Sequence, residues 1–188
     1  MFSITCALRK TGLEASIVAG SDGLKEADAI VLPGVGNFKA GSRNIQTIKK
    51  DITELVKAGV PLFGVCLGMQ LLFESSEESL GEGLGILKGK VVRFPLTVKT
   101  PHMGWNTLKV VRQNELLDGI GEGDYFYFVH SYYSNPVDKE AVVAETGYGV
   151  DFASVVACGN VWATQFHPEK SGKSGEIVLR NLGEIIKK

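Results

Sequence analysis

Val60-Pro-Leu-Phe-Gly-Val-Cys66-Leu-Gly-Met-Gln-Leu-Leu-Phe-Glu74 is an apolar run that passes through Gly-x-Cys-x-Gly into helix-forming residues. Residues 60–65 read as a strand buried on both faces, and residues 69–74 as the start of a helix. Gly64 and Gly68 let the chain bend sharply between the two and bring them close together, the geometry of a nucleophile elbow with cysteine in place of serine. Cys66 then lies at a helix N-terminus, where unpaired N–H groups and the helix dipole favour thiolate over thiol. On its own, a cysteine between Val65 and Leu67 is an ordinary core residue. Its chemistry has to be argued from what else the chain brings to the same edge.

The chain has 188 residues and a formal net charge of −1, a length that suits one domain over residues 1–188. Balanced charge without a basic run argues against a nucleic-acid partner or an anionic membrane surface. The apolar runs are too short to span a bilayer, and residues 1–20 have no signal-peptide pattern. A soluble cytoplasmic protein is therefore expected. Its cysteines, Cys6, Cys66 and Cys158, are odd in number and lack ligand spacing, so reduced thiols are expected and no metal.

Outward from the elbow, residues 3–11 read as a helix, residues 14–19 and 28–32 as strands, and residues 45–58 as a helix closed by Gly59. Residues 74–89 are polar and glycine-rich. Beyond them strands dominate, at 91–94, 107–111, 125–129, 141–146, 152–157 and 161–166, with a hairpin turn at residues 158–160. Residues 174–186 form a final amphipathic helix. The pattern predicts an α/β fold: a mostly parallel, doubly wound sheet with helices on both faces and an antiparallel flank.

Two further segments converge on Cys66. Leu32-Pro-Gly-Val-Gly-Asn-Phe38 follows a predicted strand, and its glycines allow backbone N–H groups to face a crevice at the carboxyl edge of the sheet. With the N–H of Leu67, that loop forms a candidate oxyanion hole. Trp162-Ala-Thr-Gln-Phe-His-Pro-Glu169 ends a strand in His167 and Glu169. The proline is expected to hold these two extended, so that the carboxylate reaches one imidazole nitrogen while the other faces a thiol, making a Cys-His-Glu relay.

Pro-Gly-Val-Gly at 33–36, Gly-Val-Cys-Leu-Gly-Met-Gln at 64–70 and Gln-Phe-His-Pro-Glu at 165–169 resemble the signature segments of class I glutamine amidotransferases. Pro101-His-Met-Gly-Trp-Asn106 and Tyr125-Phe-Tyr-Phe-Val-His-Ser-Tyr-Tyr133 are similar to segments of the glutaminase subunits of imidazole glycerol phosphate synthases. The resemblance implies a glutaminase with catalytic Cys66, His167 and Glu169, acting on L-glutamine without a cofactor. It implies oxyanion donors at Val35 and Leu67, and substrate contacts at Gly36, Gln70, Ser131 and Tyr132. It further implies a heterodimer with a TIM-barrel cyclase subunit that receives the ammonia, with His102, Trp105, Asn106, Tyr127 and Lys170 near the interface. Alternatives are the glutaminase of anthranilate, guanylate or carbamoyl phosphate synthesis, or a non-catalytic regulatory subunit. Family members open with an apolar strand that this chain lacks, so the resemblance also implies a sheet without its usual first strand and about fifteen preceding native residues.

Overall fold

The computed structural model describes residues 2–18 and 20–188. Its helices are α1 (Phe2–Lys10), α2 (Phe38–Gln46), α3 (Lys49–Lys57), α4 (Leu67–Gln70) and α5 (Gly172–Ile186). In chain order its strands are β1 (Ile30–Leu32), β2 (Leu62–Val65), β3 (Ser75–Ser76), β4 (Gly89–Arg93), β5 (His102–Thr107), β6 (Lys109–Val110), β7 (Tyr125–His130), β8 (Tyr132–Pro136), β9 (Val142–Gly147), β10 (Asp151–Cys158) and β11 (Val161–Thr164). The main sheet has the order β1-β2-β11-β10-β9-β6. Only β1, β2 and β11 run parallel, and every later pairing is antiparallel. The sheet is thus mixed rather than mostly parallel. The two-residue turn between Cys158 and Val161, with Gly159 at φ 56°, sends β11 straight back along β10 and builds the antiparallel half.

Because residues 62–65 are apolar without interruption, β2 can be covered on both sides. Phe63 and Val65 join Ile4 and Leu8 of α1 and Val178 and Leu182 of α5 in one core. Leu62 joins Phe38, Ile45 and Ile52 of α2 and α3 in the other. Two smaller sheets, β3-β4-β8 and β5-β7, flank the main one.

Several local expectations change. The helix expected over residues 45–58 is two helices, because Ile48 leaves helical geometry at φ −122°, ψ 6°. The first of them starts earlier, at a cap in which Asn37 accepts from the N–H of Ala40 at 2.9 Å. The strand expected over 107–111 is the end of β5 followed by β6. Residues 14–18 of the strand expected at 14–19 have no regular structure, and Ala19 lies outside the described residues. Apolar alternation makes a strand only when a ladder partner is present, and among the described residues β1 is paired on one side alone. The elbow helix is a single turn, since the chain beyond Gln70 leaves to hydrogen-bond residues 83–89.

Close approach at the elbow explains its glycines. A Cβ on Gly68 would sit 1.8 Å from the carbonyl oxygen of Leu32, and one on Gly34 would sit 2.4 Å from Cβ of Leu67. Gly68→Ala should therefore destabilise the fold by about 3 kcal/mol or more in urea unfolding. Gly12→Ala, with a positive φ but open space around it, should cost only about 1 kcal/mol.

Candidate active site

Parallel pairing of β1, β2 and β11 sets Leu32 beside Gly64 and Gly64 beside Ala163, so all three strands end at one edge. The residues that follow them are Pro33, Cys66 and Gln165. Cys66 donates its amide to the carbonyl of Thr164 at 2.7 Å. It takes φ 53° and ψ −107°, and is the only residue other than glycine with positive φ among the described residues. Strain of this kind, held by surrounding contacts, is characteristic of a nucleophile elbow.

His167 and Glu169 reach the same place along β11. The amide of His167 donates to the carbonyl of Tyr127 in β7 at 3.0 Å, and Ser171 Oγ donates to the carbonyl of His167 at 2.6 Å. Residues 168–170 form one turn of 3₁₀ helix with proline at its start, rather than the extended arrangement expected. Proline lacks an N–H, which costs nothing at that position, and the turn swings the Glu169 carboxylate back to Nδ1 of His167 at 2.9 Å. Nε2 is buried without an aligned hydrogen-bond partner, as in many resting triads. Burial is the largest single influence on the imidazole and opposes its charging. Cys66 and then Glu169 together outweigh it and lift the His167 pKa to about 9. Glu169 fixes the ring and favours its charged form at the sheet edge where Cys66 also sits.

The remaining expected residues divide. Leu67 opens α4, where the first N–H groups have no intrahelical acceptor. With a helix of only four residues, the dipole contributes little at Cys66. Val35 is exposed beside Gly36, which takes φ 118°. Gln70 is buried and donates to the carbonyl of Tyr132 at 2.9 Å and to Oε1 of Gln165 at 3.1 Å. The carbonyl of Tyr132 accepts from both Gln70 and His130, and that of Ser131 accepts from the amide of Phe94.

At the expected partner face, Trp105 is 56% exposed and packs edge-on against Tyr127, with Lys170 Nζ 5.8 Å from the Tyr127 ring. Met103 and Tyr125 extend this exposed apolar surface across β5 and β7. His102, by contrast, is 3% exposed and stacked on Phe128 and Tyr148, so its ring is not available for surface contact. Asn106 donates to the carbonyl of Gly147 at 3.1 Å.

The model of the glutamine amidotransferase class-I family matches residues 2–183. This chain belongs to the class-I glutamine amidotransferase family. It is 50% identical to the imidazole glycerol phosphate synthase subunit HisH of Methanocaldococcus jannaschii over 171 residues, covering 90% of this chain and 87% of that protein. It is likewise 50% identical to the subunit of the same name from Halobacterium salinarum, covering 96% and 86%. The fold matches a glutamine amidotransferase crystal structure at TM-score 0.79 and 23% identity, covering 100% of this chain and 94% of that one. It also matches a chain of PurLQS from Thermotoga maritima at TM-score 0.78 and 22% identity, covering 97% and 91%.

Two side chains near this amidotransferase triad carry roles that motif reading did not assign. Gln165 is fully buried and donates from Nε2 to Sγ of Cys66 at 3.6 Å. His130 is buried between His102 and the Tyr132 carbonyl, at 3.2 and 2.8 Å. Their place within the signature segments was the available signal, but which atoms they face depends on tertiary pairing.

Burial lowers His102 to about 4 and His130 to about 3, against about 9 for His167. The chain has three histidines, so a nitrogen-15 NMR titration can assign all of them. His102 and His130 should stay neutral at pH 5, while His167 stays charged until about pH 9. For a histidine whose folded pKa is depressed, stability is present above its unfolded pKa of about 6.5 and is lost on acidification. Urea unfolding should therefore show stability falling from about pH 6.5 down through the two depressed values.

Proposed function

We propose that this chain is the glutaminase subunit of an imidazole glycerol phosphate synthase. The observation that carries the reading is the delivery of Cys66 and the His167–Glu169 pair to one sheet edge by adjacent parallel strands. The 50% identity to HisH subunits selects the biosynthetic setting. The thiolate of Cys66 attacks the carboxamide carbon of L-glutamine, and the N–H groups of Leu67 and Val35 stabilise the oxyanion of the tetrahedral intermediate. His167 gives its proton to the departing nitrogen, releasing ammonia and leaving a thioester. The now neutral imidazole takes a proton from water, whose oxygen attacks the thioester, so glutamate leaves and the thiolate–imidazolium pair is restored.

Gln70 places both its N–H groups on protein acceptors, which leaves its carbonyl oxygen to accept from the substrate's ammonium group. The substrate carboxylate is left to the N–H groups near Gly36, Ser131 and Tyr132. Ammonia passes to a TIM-barrel cyclase subunit that docks on the exposed Met103, Trp105, Tyr125 and Tyr127 face, with Asn106 and Lys170 at its rim. The Pro101–Asn106 segment favours this setting over the glutaminases of anthranilate, guanylate or carbamoyl phosphate synthesis.

Cys66→Ala should abolish glutamine-dependent cyclisation in the reconstituted complex, by about 1,000-fold or more, while turnover with added ammonium salt persists. Equal loss of both activities would remove Cys66 from the glutaminase role. Trp105→Ala should weaken binding to the cyclase about tenfold in calorimetric titration without changing the far-ultraviolet circular dichroism.

A further inference from the structure

We propose that Gln165 is a further catalytic residue, donating a side-chain hydrogen bond to the Cys66 thiolate and setting the pH at which that thiolate forms. The proposal rests on Cys66 being the nucleophile.

The orientation of the Gln165 amide follows from its neighbours by elimination. The Tyr132 carbonyl can only accept, so the end of Gln70 that faces it at 2.9 Å is the NH₂ group. That NH₂ group also lies 3.1 Å from Gln165, which must therefore present its oxygen. The NH₂ of Gln165 is thereby turned to Sγ of Cys66 at 3.6 Å. Upstream, the same Tyr132 carbonyl accepts from Nδ1 of His130 at 2.8 Å, so Nε2 of His130 is the acceptor for Nδ1 of His102 at 3.2 Å. Nε2 of His102 then accepts from Nδ2 of Asn106 at 3.3 Å. Donors and acceptors run in one direction from Asn106 to the shared carbonyl. Gln70 also donates to that carbonyl and to Gln165, which in turn donates to the sulfur, and no link carries charge while both histidines are neutral.

A buried amide N–H gains little from a neutral thiol, which accepts weakly, and much from a thiolate. Gln165 is fully buried and its backbone N–H is pinned to the carbonyl of Ser154 at 2.8 Å, so the side chain has no water to turn toward. Whatever this donor contributes is therefore realised when sulfur is ionised, in addition to the support from His167. The Asn106, His102, His130 and Gln70 side chains act as positioning residues for it.

The test is the pH dependence of iodoacetamide alkylation at Cys66, read by peptide mass spectrometry on the intact chain, with the exposed Cys158 as internal reference. In the wild type, Cys66 should alkylate at a lower midpoint than Cys158. In Gln165→Met, close in volume, and in Gln165→Leu, the Cys66 midpoint should rise by about one pH unit, slowing alkylation on the acid limb about tenfold. The Cys158 profile should not move. A second readout needs no Gln165 variant: the Gln165 side-chain amide resonance should titrate with the Cys66 midpoint in the wild type and stay flat in Cys66→Ala. An unchanged Cys66 midpoint in both variants, or an amide resonance that does not follow the thiol, overturns the proposal while leaving the glutaminase reading intact. Glutamine-dependent turnover that survives in Cys66→Ala overturns both.

Discussion

The amide of Cys66 gives its hydrogen to the carbonyl of Thr164 across 2.7 Å, and the geometry of the site follows from that bond. It ties the last residue before the elbow to the last residue of β11, so the chain must turn immediately, and φ at Cys66 goes to 53°. A side chain on Gly34, Gly64 or Gly68 would collide with backbone or a near side chain in that turn. The sulfur is consequently held by main-chain contacts rather than by its own packing. The same pairing starts the path to His167 three residues further on, and places nucleophile and imidazole on neighbouring strands whose separation the sheet spacing controls.

Electrostatically, the three histidines shift in opposite directions despite a similar degree of burial. His102 and His130 face aromatic rings, amides and each other, so desolvation prevails, outweighing the Tyr132 carbonyl at His130, and they remain neutral. His167 meets a carboxylate at 2.9 Å and a thiol, and the charged form prevails. Burial alone does not determine which histidine acts as an acid. The identity of the partner does.

How much of this could be read from the chain depends on how local the causes are. The elbow and the apolar triplet before Pro33 are legible because each is set by a few adjacent residues, as is the pairing of His167 with Glu169, although the proline was expected to hold that pair extended and instead opens a 3₁₀ turn. Parallel pairing of β1 with β2 was expected from strands alternating with helices, whereas nothing local announced that β11 would join them in parallel. The extent of the antiparallel half was not legible either, since the register of β9 and β10 includes irregularities at Ala153 and Val155 that no local pattern announces. Asn37 carried a readable capping signal for α2. The break at Ile48 lies inside continuous helical spacing, where tertiary packing overrides propensity. Trp105 was placed near a partner face by resemblance alone, and it is the position of β5 at the outside of the molecule that puts it in solvent. Gln165 was visible as a letter in a motif, while its role required knowing where Gln70 points.

Tyr127 occupies two positions at once. Its ring lies between Trp105 and Lys170 on the outer surface, while its main chain accepts the amide of His167 and receives no less firm an anchor from Ser171, whose Oγ lies 3.0 Å from its N–H. The strand that meets the outside world is therefore also the floor on which the imidazole stands.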